Sequence, residues 1–537
     1  MNTIRYSLDA SGIATLTFDA PGSSVNTMTR AWQHDLAEAA GQLEQDKDRI
    51  KGVLLESAKS TFFAGAALAE VLTLKEADAG RCFGEIEALK SSFRRIETLG
   101  RPVAALLAGA ALGGGWEVAL VAHARFALDD AAIRFGTPEV TLGLIPGATG
   151  ITKTVRKLGL IAAQPYLMEG KLFDPHEAAA LGWVDGLGPD AHALKAQALA
   201  WIAAHPEAQQ PWDRREYKMP GGAASSEKIA AALTIAPAML LQKTRGLYPA
   251  PEAILETMVE GALVDYATAT RIESRKLTRI MVGQVAKNMV TAFFFNLNAL
   301  RGGPRWLANG PPWRPENAAA DARGCFTTRV FGSFVLEGAA MLAEGIAAPL
   351  VEHAALAAGM AVGPLAALDD AALPSVLHMM EAMRTDPARA GTVAAPSDGE
   401  RLIVRMAGEC KRTGRAAGGG FYDYPPGEAP RLWPGLQAAL AIRALVEADI
   451  AWLTRRYLYR QSIEAARCLA EGVVASVADA NIGSIVGAGF PAWTGGAMQF
   501  IAAEGRDRFL AGAEALAARC GERFALADAV RGAIPSA

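Results

Sequence analysis

Hydrophobic positions follow two different patterns along this chain of 537 residues. Up to about residue 188, short runs such as Ile13 to Phe18 and Gly52 to Leu55 have the length and composition of strands and alternate with helical stretches. This alternation predicts an α/β layer architecture. From Ala191 to Ala204, and again from Glu252 to Leu300, apolar residues recur with the period of a helix. We therefore expect an α/β region followed by long helices.

Glycine and proline interrupt the helical pattern after Leu300. Arg301 to Pro304 and Gly310 to Pro312 are rich in both residue types, and they predict an irregular linker that extends to Arg323. The rest of the chain returns to helical periodicity. A chain of this length should hold several domains, since one hydrophobic core rarely grows beyond about 300 residues.

Charge and cysteine content exclude several classes of protein. A net charge of −3 and a pI near 6.2 give no overall basic field, so nucleic acid is not an expected partner. The longest charge-free apolar run, Ala354 to Leu368, is too short to span a bilayer, and no signal peptide opens the chain. The cysteines are odd in number and lack the spacing of metal ligands: Cys82, Cys325, Cys410, Cys468 and Cys520. We expect a soluble cytoplasmic protein without a metal site, in a reducing compartment.

Two separate segments each end in a carboxylate and suggest one acid–base site. The run from Leu112 to Glu117 contains three glycines before an apolar stretch, which predicts a turn that exposes backbone N–H groups at a helix start. Glu117 would then lie on the first helical turn. In the run from Phe135 to Glu139, Pro138 fixes its own φ and commonly opens a helix, so Glu139 would be held by a stiff backbone.

A third segment, Phe62 to Leu68, follows the strand-like run at Gly52 and can supply a second N–H donor from a tight turn. Taken singly, a glycine-rich turn often only packs a helix against a strand, and a carboxylate on a first turn often only complements the helix dipole. The ordered set of three segments favours catalysis, because it combines two N–H donors with two carboxylates.

At these residues the chain resembles the enoyl-CoA hydratase (crotonase) superfamily. That family has an A-G-A-D-L-like loop, a G-G-G-x-E-like loop and an F-G-x-P-E segment, and similar segments occur here in the same order. The resemblance implies that the N–H groups of Ala66 and Gly114 form an oxyanion hole and that Glu117 and Glu139 are the catalytic pair. It also implies a substrate pocket shaped by Trp116, Pro138 and Gly147. The family's fold is a spiral of ββα turns, and its substrate is an acyl-CoA thioester.

Hydration of a 2-enoyl thioester explains why such a site needs these groups. Negative charge develops on the thioester oxygen, where each fixed N–H donor is worth about 3 kcal/mol by analogy with other oxyanion holes. One carboxyl group must take a proton from water while the other delivers one to Cα, so their pKa values must differ. The resemblance suggests that Glu117 activates water and that Glu139 protonates Cα.

The chain departs from the family pattern at two places. Ala67 stands where the family usually has Asp, and Ala69 stands where a basic residue that helps to bind CoA often occurs. Because the oxyanion donor is a backbone group, the loss of a side chain at position 67 should leave that donor in place. Glu117 and Glu139 also lie about two residues further apart than is usual in the family, and we expect the extra residues in a turn at Asp129 and Asp130.

The second half resembles the multifunctional β-oxidation enzymes, in which a hydratase precedes a 3-hydroxyacyl-CoA dehydrogenase. The runs from Gly324 to Gly332, at Gly363-Pro364 and from Gly419 to Tyr422 resemble the helical C-terminal domain of that dehydrogenase. A related helical unit follows. Thr328 stands where simple dehydrogenases often place Asn. No G-x-G-x-x-G motif follows a strand, so we expect that the NAD-binding domain is missing and that the chain needs no cofactor.

The resemblance predicts five segments. They are a crotonase core (1–190), a helical extension with a long connecting helix (191–300), a linker in place of the NAD-binding domain (301–323), and two all-α domains similar to the dehydrogenase C-terminal domain (324–428 and 429–537).

Three functions stay open at this point. The first is a 2-enoyl-CoA hydratase, with or without Δ3–Δ2 enoyl-CoA isomerase activity. The second is a non-catalytic acyl-CoA-binding scaffold or complex subunit that docks a thiolase or a separate NAD-binding domain. The third keeps the fold but performs other thioester chemistry, which retention of both carboxylates disfavours. A homo-oligomer is compatible with each of them.

Overall fold

The computed structural model describes residues 1–300, 326–384, 396–440 and 447–534. They fall into two units, Met1–Lys287 and Asn288–Ala537. The division lies within the segment expected to form a helical extension. The predicted linker at 301–323 and the residues Gly324 and Cys325 lie outside the described residues.

The first unit contains one large sheet and one small sheet. Its strands are β1 (Ile4–Leu8), β2 (Ile13–Phe18), β3 (Gly52–Ser57), β4 (Val103–Leu107), β5 (Ala111–Leu112), β6 (Ala124–Leu128), β7 (Phe135–Gly136) and β8 (Gly186–Gly188). The large sheet has the order β1-β2-β3-β4-β6-β8, in which only the β1–β2 pair is antiparallel. The central strand β4 is buried along its whole length, as expected for a parallel strand covered on both faces. The two strands predicted from the sequence are confirmed.

Helices cover this sheet and extend beyond it. They are α1 (Arg30–Gln45), α2 (Leu68–Thr73), α3 (Ala79–Glu97), α4 (Gly114–Ala119), α5 (Gly150–Leu158), α6 (Leu160–Met168), α7 (Pro175–Ala180), α8 (Ala191–Ala204), α9 (Glu227–Thr244), α10 (Pro249–Ala262), α11 (Tyr266–Val282) and α12 (Gln284–Val290). The helix predicted from Ala191 to Ala204 is confirmed, and the side chain of Asp190 caps it by accepting from the Ala193 N–H.

The long helix expected between Glu252 and Leu300 is instead divided. Asp265 caps the start of α11 by accepting from the Thr268 N–H, which begins a new helix after α10. Gly283 separates α11 from α12, because its backbone is extended rather than helical. The prediction of one connecting helix was therefore wrong, since a helical period alone does not reveal a cap inside the pattern.

The described residues of the second unit form helices and one small sheet. After a π-helical turn at Thr291–Asn296, its helices are α13 (Leu297–Ala299), α14 (Phe326–Ala343), α15 (Ala348–Ala358), α16 (Pro364–Ala371), α17 (Leu373–Arg384), α18 (Asp398–Gly408), α19 (Leu436–Ala439), α20 (Ile450–Ala470), α21 (Val477–Ile482), α22 (Ala497–Glu504), α23 (Arg506–Cys520) and α24 (Asp528–Ala533). The expectation of an all-α region needs one correction, because β9 (Tyr422–Asp423) pairs with β10 (Arg431–Leu432).

The structure explains the glycine motif that precedes β9. The buried carboxylate of Asp369 accepts hydrogen bonds from the backbone N–H groups of Phe421 and Tyr422, at 2.8 Å each. A Cβ atom on Gly420 would overlap this carboxylate, so only glycine fits there. Among the described residues, no helix has the length and apolar character that crossing a membrane requires.

Candidate active site

The small sheet brings the two glutamate segments together. In the parallel pair β5–β7, Ala111 lies opposite Phe135 and Leu112 lies opposite Gly136. The N–H of Gly113 then donates to the carbonyl oxygen of Gly136 at 2.8 Å. This pairing sets the loop before α4 beside the 3-10 helix at Pro138–Leu142, which carries Glu139.

The third segment lies against the same loop. Leu112 donates from its N–H to the carbonyl oxygen of Phe63 at 3.1 Å, and a Cβ atom on Gly115 would overlap that oxygen. A Cβ atom on Gly65 would lie 3.8 Å from the Gly114 nitrogen. Only glycine permits the close approach at Gly115, and the φ of +95° at Gly65 favours glycine there. The two loops expected to supply oxyanion donors are therefore neighbours.

The backbone amides of Ala66 and Gly114 share one feature, the absence of a hydrogen-bond acceptor in the described residues. Ala66 pairs with Met28 in an isolated parallel β-bridge. In this bridge the N–H of Met28 donates to the carbonyl oxygen of Gly65, so the N–H of Ala66 takes no part in it. Gly114 is the first residue of α4, where N–H groups have no partner within the helix. In the part of the chain that the structure describes, neither amide has a hydrogen-bond acceptor.

Glu117 lies on the first turn of α4, as the sequence predicted, and its side chain is buried. Its Oε1 atom accepts hydrogen bonds from the N–H groups of Ala148 and Gly150, at 2.7 and 2.6 Å. Burial and then the negative charge of Glu273 raise the pKa of Glu117 to about 7, although the two amide bonds oppose this rise. The carboxyl group can therefore lose and regain a proton near neutral pH.

Glu139 follows Pro138, which opens the 3-10 helix as predicted. Its Oε2 atom is buried and has no hydrogen-bond partner within the described ranges. Its other oxygen lies so close to Gly113 that a Cβ atom there would be 2.8 Å away. Burial, and next the charge of Glu117, hold the pKa of Glu139 well above its ordinary value. Both causes favour the protonated form of this carboxyl group.

Two of the residues expected to line a substrate pocket, Trp116 and Gly147, are buried against other side chains of the first unit. Trp116 is 1% exposed and its ring packs in the core, stacked on Phe135 and edge-on to Phe173 and Trp183. The ring of Trp116 thus supports the helix that carries Glu117 from within the core, and its part in shaping the acyl pocket stays a prediction. Gly147 is buried where a Cβ atom would overlap Leu277 of α11, so it permits close helix approach.

Sequence reasoning missed two charged residues near Glu117. Glu273 on α11 is fully buried and accepts hydrogen bonds from the backbone segment beside Glu117, and Lys90 on α3 lies 3.8 Å from it. No short motif marks either residue. The available signal was a charged residue among the positions of an amphipathic helix that are expected to be buried. Because carboxylates are rarely fully buried without a partner, such a residue indicates a partner elsewhere in the fold.

The loop at Ala67 leads into α2 without a side-chain cap. Ala67 precedes α2 at the capping position, where it provides no side-chain hydrogen bond. Asp is a strong N-cap because its carboxylate can accept from the exposed amides of the first turn, whereas Ala cannot. The start of α2 therefore lacks the side-chain cap that an Asp could give.

Comparison with known families agrees with this geometry. Residues 9–214 match the family described as enoyl-CoA hydratase/isomerase, and residues 324–424 match the C-terminal domain of 3-hydroxyacyl-CoA dehydrogenase. The chain therefore has one region similar to enoyl-CoA hydratases/isomerases and a later region similar to the dehydrogenase C-terminal domain. Its first unit thus has a crotonase-type α/β fold, and its second is mostly helical.

Individual proteins are also similar to this chain. The chain is 22% identical to a fatty acid oxidation complex subunit alpha from Shewanella sp. (strain MR-7), in an alignment of 696 positions that covers 96% of each protein. It is 30% identical to the protein of the same name from Shewanella baltica (strain OS185), over 53% of this chain and 40% of that one. Human mitochondrial delta3-delta2-enoyl-CoA isomerase matches 56% of this chain and 100% of its own, at 22% identity and a TM-score of 0.41.

Proposed function

We propose that this chain adds water to 2-enoyl-CoA thioesters and releases 3-hydroxyacyl-CoA. The observation that carries the proposal is the pair of carboxyl groups of Glu117 and Glu139, whose charges interact, together with two amides that have no acceptor among the described residues. An acid, a base and an oxyanion site are the groups that this reaction needs. The match to the enoyl-CoA hydratase/isomerase family supports it.

In this proposal the two carboxyl groups have different tasks. Glu117, with a pKa of about 7, is partly ionised near neutral pH and takes a proton from the attacking water. Glu139, with its pKa well above the ordinary value, holds a proton that it delivers to Cα. Because their charges interact, the two groups titrate as a pair, and an activity profile reports values that belong to both.

The thioester oxygen would be received by the amides of Ala66 and Gly114. Charge that develops on this oxygen during the attack of water is stabilised by donors that are already fixed in place. Gly114 adds the favourable end of the α4 dipole. Neither contribution requires the missing Asp at position 67, since both come from the backbone.

We also propose that this chain does not oxidise 3-hydroxyacyl-CoA with NAD by itself. The alignment with the Shewanella sp. protein has 696 positions and this chain has 537 residues, so at least 159 aligned positions have no residue here. That number is typical of a whole domain. The loss of a nucleotide-binding domain would leave the helical domain as a structural element.

The test is a hydration assay with purified full-length protein and 2-enoyl-CoA substrates of several chain lengths. Loss of absorbance from the conjugated thioester reports hydration. We expect Glu139→Gln to lower kcat by about 10²- to 10⁴-fold, because an amide cannot deliver the proton. Glu207→Gln, a change at an exposed acid, is the control and should keep the wild-type rate.

Two outcomes would contradict the proposal. Full activity of Glu139→Gln would remove this residue from the reaction. Binding of acyl-CoA without turnover by the wild-type chain would favour a scaffold that docks a thiolase or a separate NAD-binding domain. A parallel assay with 3-enoyl-CoA measures isomerase activity, for which the same acid–base pair is suitable.

A further inference from the structure

Glu273 of α11 holds the backbone that presents amides to Glu117. We propose that Glu273 is a positioning residue for the Glu117–Glu139 pair, because it fixes this segment and adds a further buried carboxylate beside the pair. The inference rests on the proposed function for its activity test. It concerns a residue of a helix that carries none of the site's sequence signatures.

The two carboxylates share one short stretch of backbone between residues 148 and 152. Glu117 accepts from the N–H groups of Ala148 and Gly150, whereas Glu273 accepts from those of Thr149 and Thr152, at 2.7 and 2.9 Å. The hydroxyl of Thr152 also donates to Glu273 at 2.7 Å. Successive amides therefore point to different carboxylates, and the segment is clamped from two sides.

Backbone strain shows that this clamp determines the conformation. Thr149 has a φ of +87°, in the left-handed region that β-branched residues rarely adopt. Such a conformation costs about 1–3 kcal/mol and persists only where surrounding contacts enforce it. The bonds of Ala148 and Gly150 to Glu117, together with the bond of Thr149 itself to Glu273, supply that enforcement. Without Glu273, the amides of Ala148 and Gly150 would lose their fixed direction toward Glu117.

Among the described residues, Lys90 is the cation within ion-pair distance of Glu273. Lys90 Nζ lies 3.8 Å from its Oε1 atom and donates to the carbonyl oxygen of Thr270 at 2.6 Å. The other ionisable groups that interact with Glu273 or Lys90 are Glu87 of α3, Glu117 of α4, Arg156 of α5, Tyr266 of α11 and Glu139. Glu273 therefore acts on Glu117 and Glu139 as a like charge in a buried setting.

A like charge favours the protonated form of a neighbouring acid. After burial, Glu273 is the largest cause that raises the pKa of Glu117 to about 7, and it also raises the pKa of Glu139. Without this charge Glu117 would ionise at lower pH. The carboxylate of Glu273 thus sets the pH range in which the pair holds one proton.

Glu273→Gln tests the effect of charge while the side-chain size is kept. We expect the acidic limb of the kcat/KM profile to move to lower pH, by on the order of one pH unit. We also expect kcat to fall, because the Gln amide group would face one of the backbone N–H donors and one hydrogen bond would be lost. A structural role alone predicts lower kcat with the limb unmoved.

Two further variants separate charge from geometry. Glu273→Asp keeps the charge and shortens the side chain, so the limb should stay near the wild-type pH while kcat falls. Thr152→Val removes only the hydroxyl bond and should also leave the limb in place. If Glu273→Gln does not fold, Glu273→Asp tests the proposal alone. A shift of about one pH unit in the acidic limb of the kcat/KM profile of Glu273→Asp would then overturn it.

An infrared titration separates this inference from the proposed function. Difference spectra of the substrate-free protein report protonated carboxyl groups, and the band lost in Glu117→Gln identifies Glu117. We expect this band to titrate at lower pH in Glu273→Gln than in the wild-type protein. An unchanged band together with an unchanged activity profile would overturn the inference. A displaced band in a protein that does not hydrate 2-enoyl-CoA would support the inference while the proposed function fails.

Discussion

Glu117 should lower the stability of the fold at alkaline pH, and Glu117→Gln tests this directly. Both backbone hydrogen bonds of Glu117 are accepted by its Oε1 atom, from Ala148 and Gly150. A Gln side chain in the same position can accept both bonds with its own oxygen. The substitution therefore removes the charge while the size and these contacts are kept.

The size of the effect follows from the pKa of Glu117. Burial and the charge of Glu273 raise it from 4.5 to about 7, which corresponds to about 3 kcal/mol between the two protonation states. A raised pKa means that the folded protein holds the proton more tightly than the unfolded chain. The wild-type protein therefore loses stability as the pH rises from about 4.5 to about 7, and the Gln variant does not.

Amide hydrogen exchange is the suitable assay, because a chain with two units need not unfold in one step. The free energy of opening is measured for peptides that cover β4 in the core of the first unit. We expect Glu117→Gln and the wild-type protein to be equally stable near pH 4.5, and the variant to be more stable by about 3 kcal/mol at pH 8. The exposed control Glu207→Gln should show no such trend. A constant difference across this range would refute the reasoning.

Three other outcomes are expected. Gly150→Ala places a methyl group 2.6 Å from Glu117 Oε1 and should lower kcat/KM by about 10²-fold, whereas Gly114→Ala meets the flexible end of Met28 and should cost less. Gly420→Ala should destabilise the second unit by about 1–3 kcal/mol in hydrogen exchange of α16, because the methyl group overlaps Asp369. With 3-hydroxyacyl-CoA and NAD, the purified chain should form no NADH, and a steady rate of NADH formation would contradict the proposed absence of a dehydrogenase.

Local patterns were sufficient for the elements that carry the two glutamates. The strands at Ile13 and Gly52, the helix start at Glu117 and the helix opened by Pro138 all depend on neighbours in the sequence, and each is present. Proline geometry and glycine-rich turns act within a few residues, so their effect can be predicted without tertiary structure. The order of the segments then indicated that they belong to one site.

Packing between distant elements could not be predicted in the same way. The sequence gives no direct sign that the ring of Trp116 would lie between Phe135, Phe173 and Trp183. A bulky residue beside a glutamate with a predicted catalytic role is equally compatible with a pocket wall and with a core. Only the directions of the side chains in the folded chain distinguish the two, since Glu117 and Trp116 are adjacent and point to different surroundings.

Glu273 shows that a long-range contact can still leave a signal within one helix. Ala269, Glu273 and Ile280 are separated by four and seven residues, so they lie on one face of α11, and all three are buried. A carboxylate on the buried face of an amphipathic helix loses its hydration. Hydrogen bonds or a counter-charge in the fold must offset the free-energy cost of this loss. Here three donors and Lys90 do so. The interrupted apolar face therefore indicated a partner elsewhere in the chain, although only the fold identifies that partner as the segment that holds Glu117.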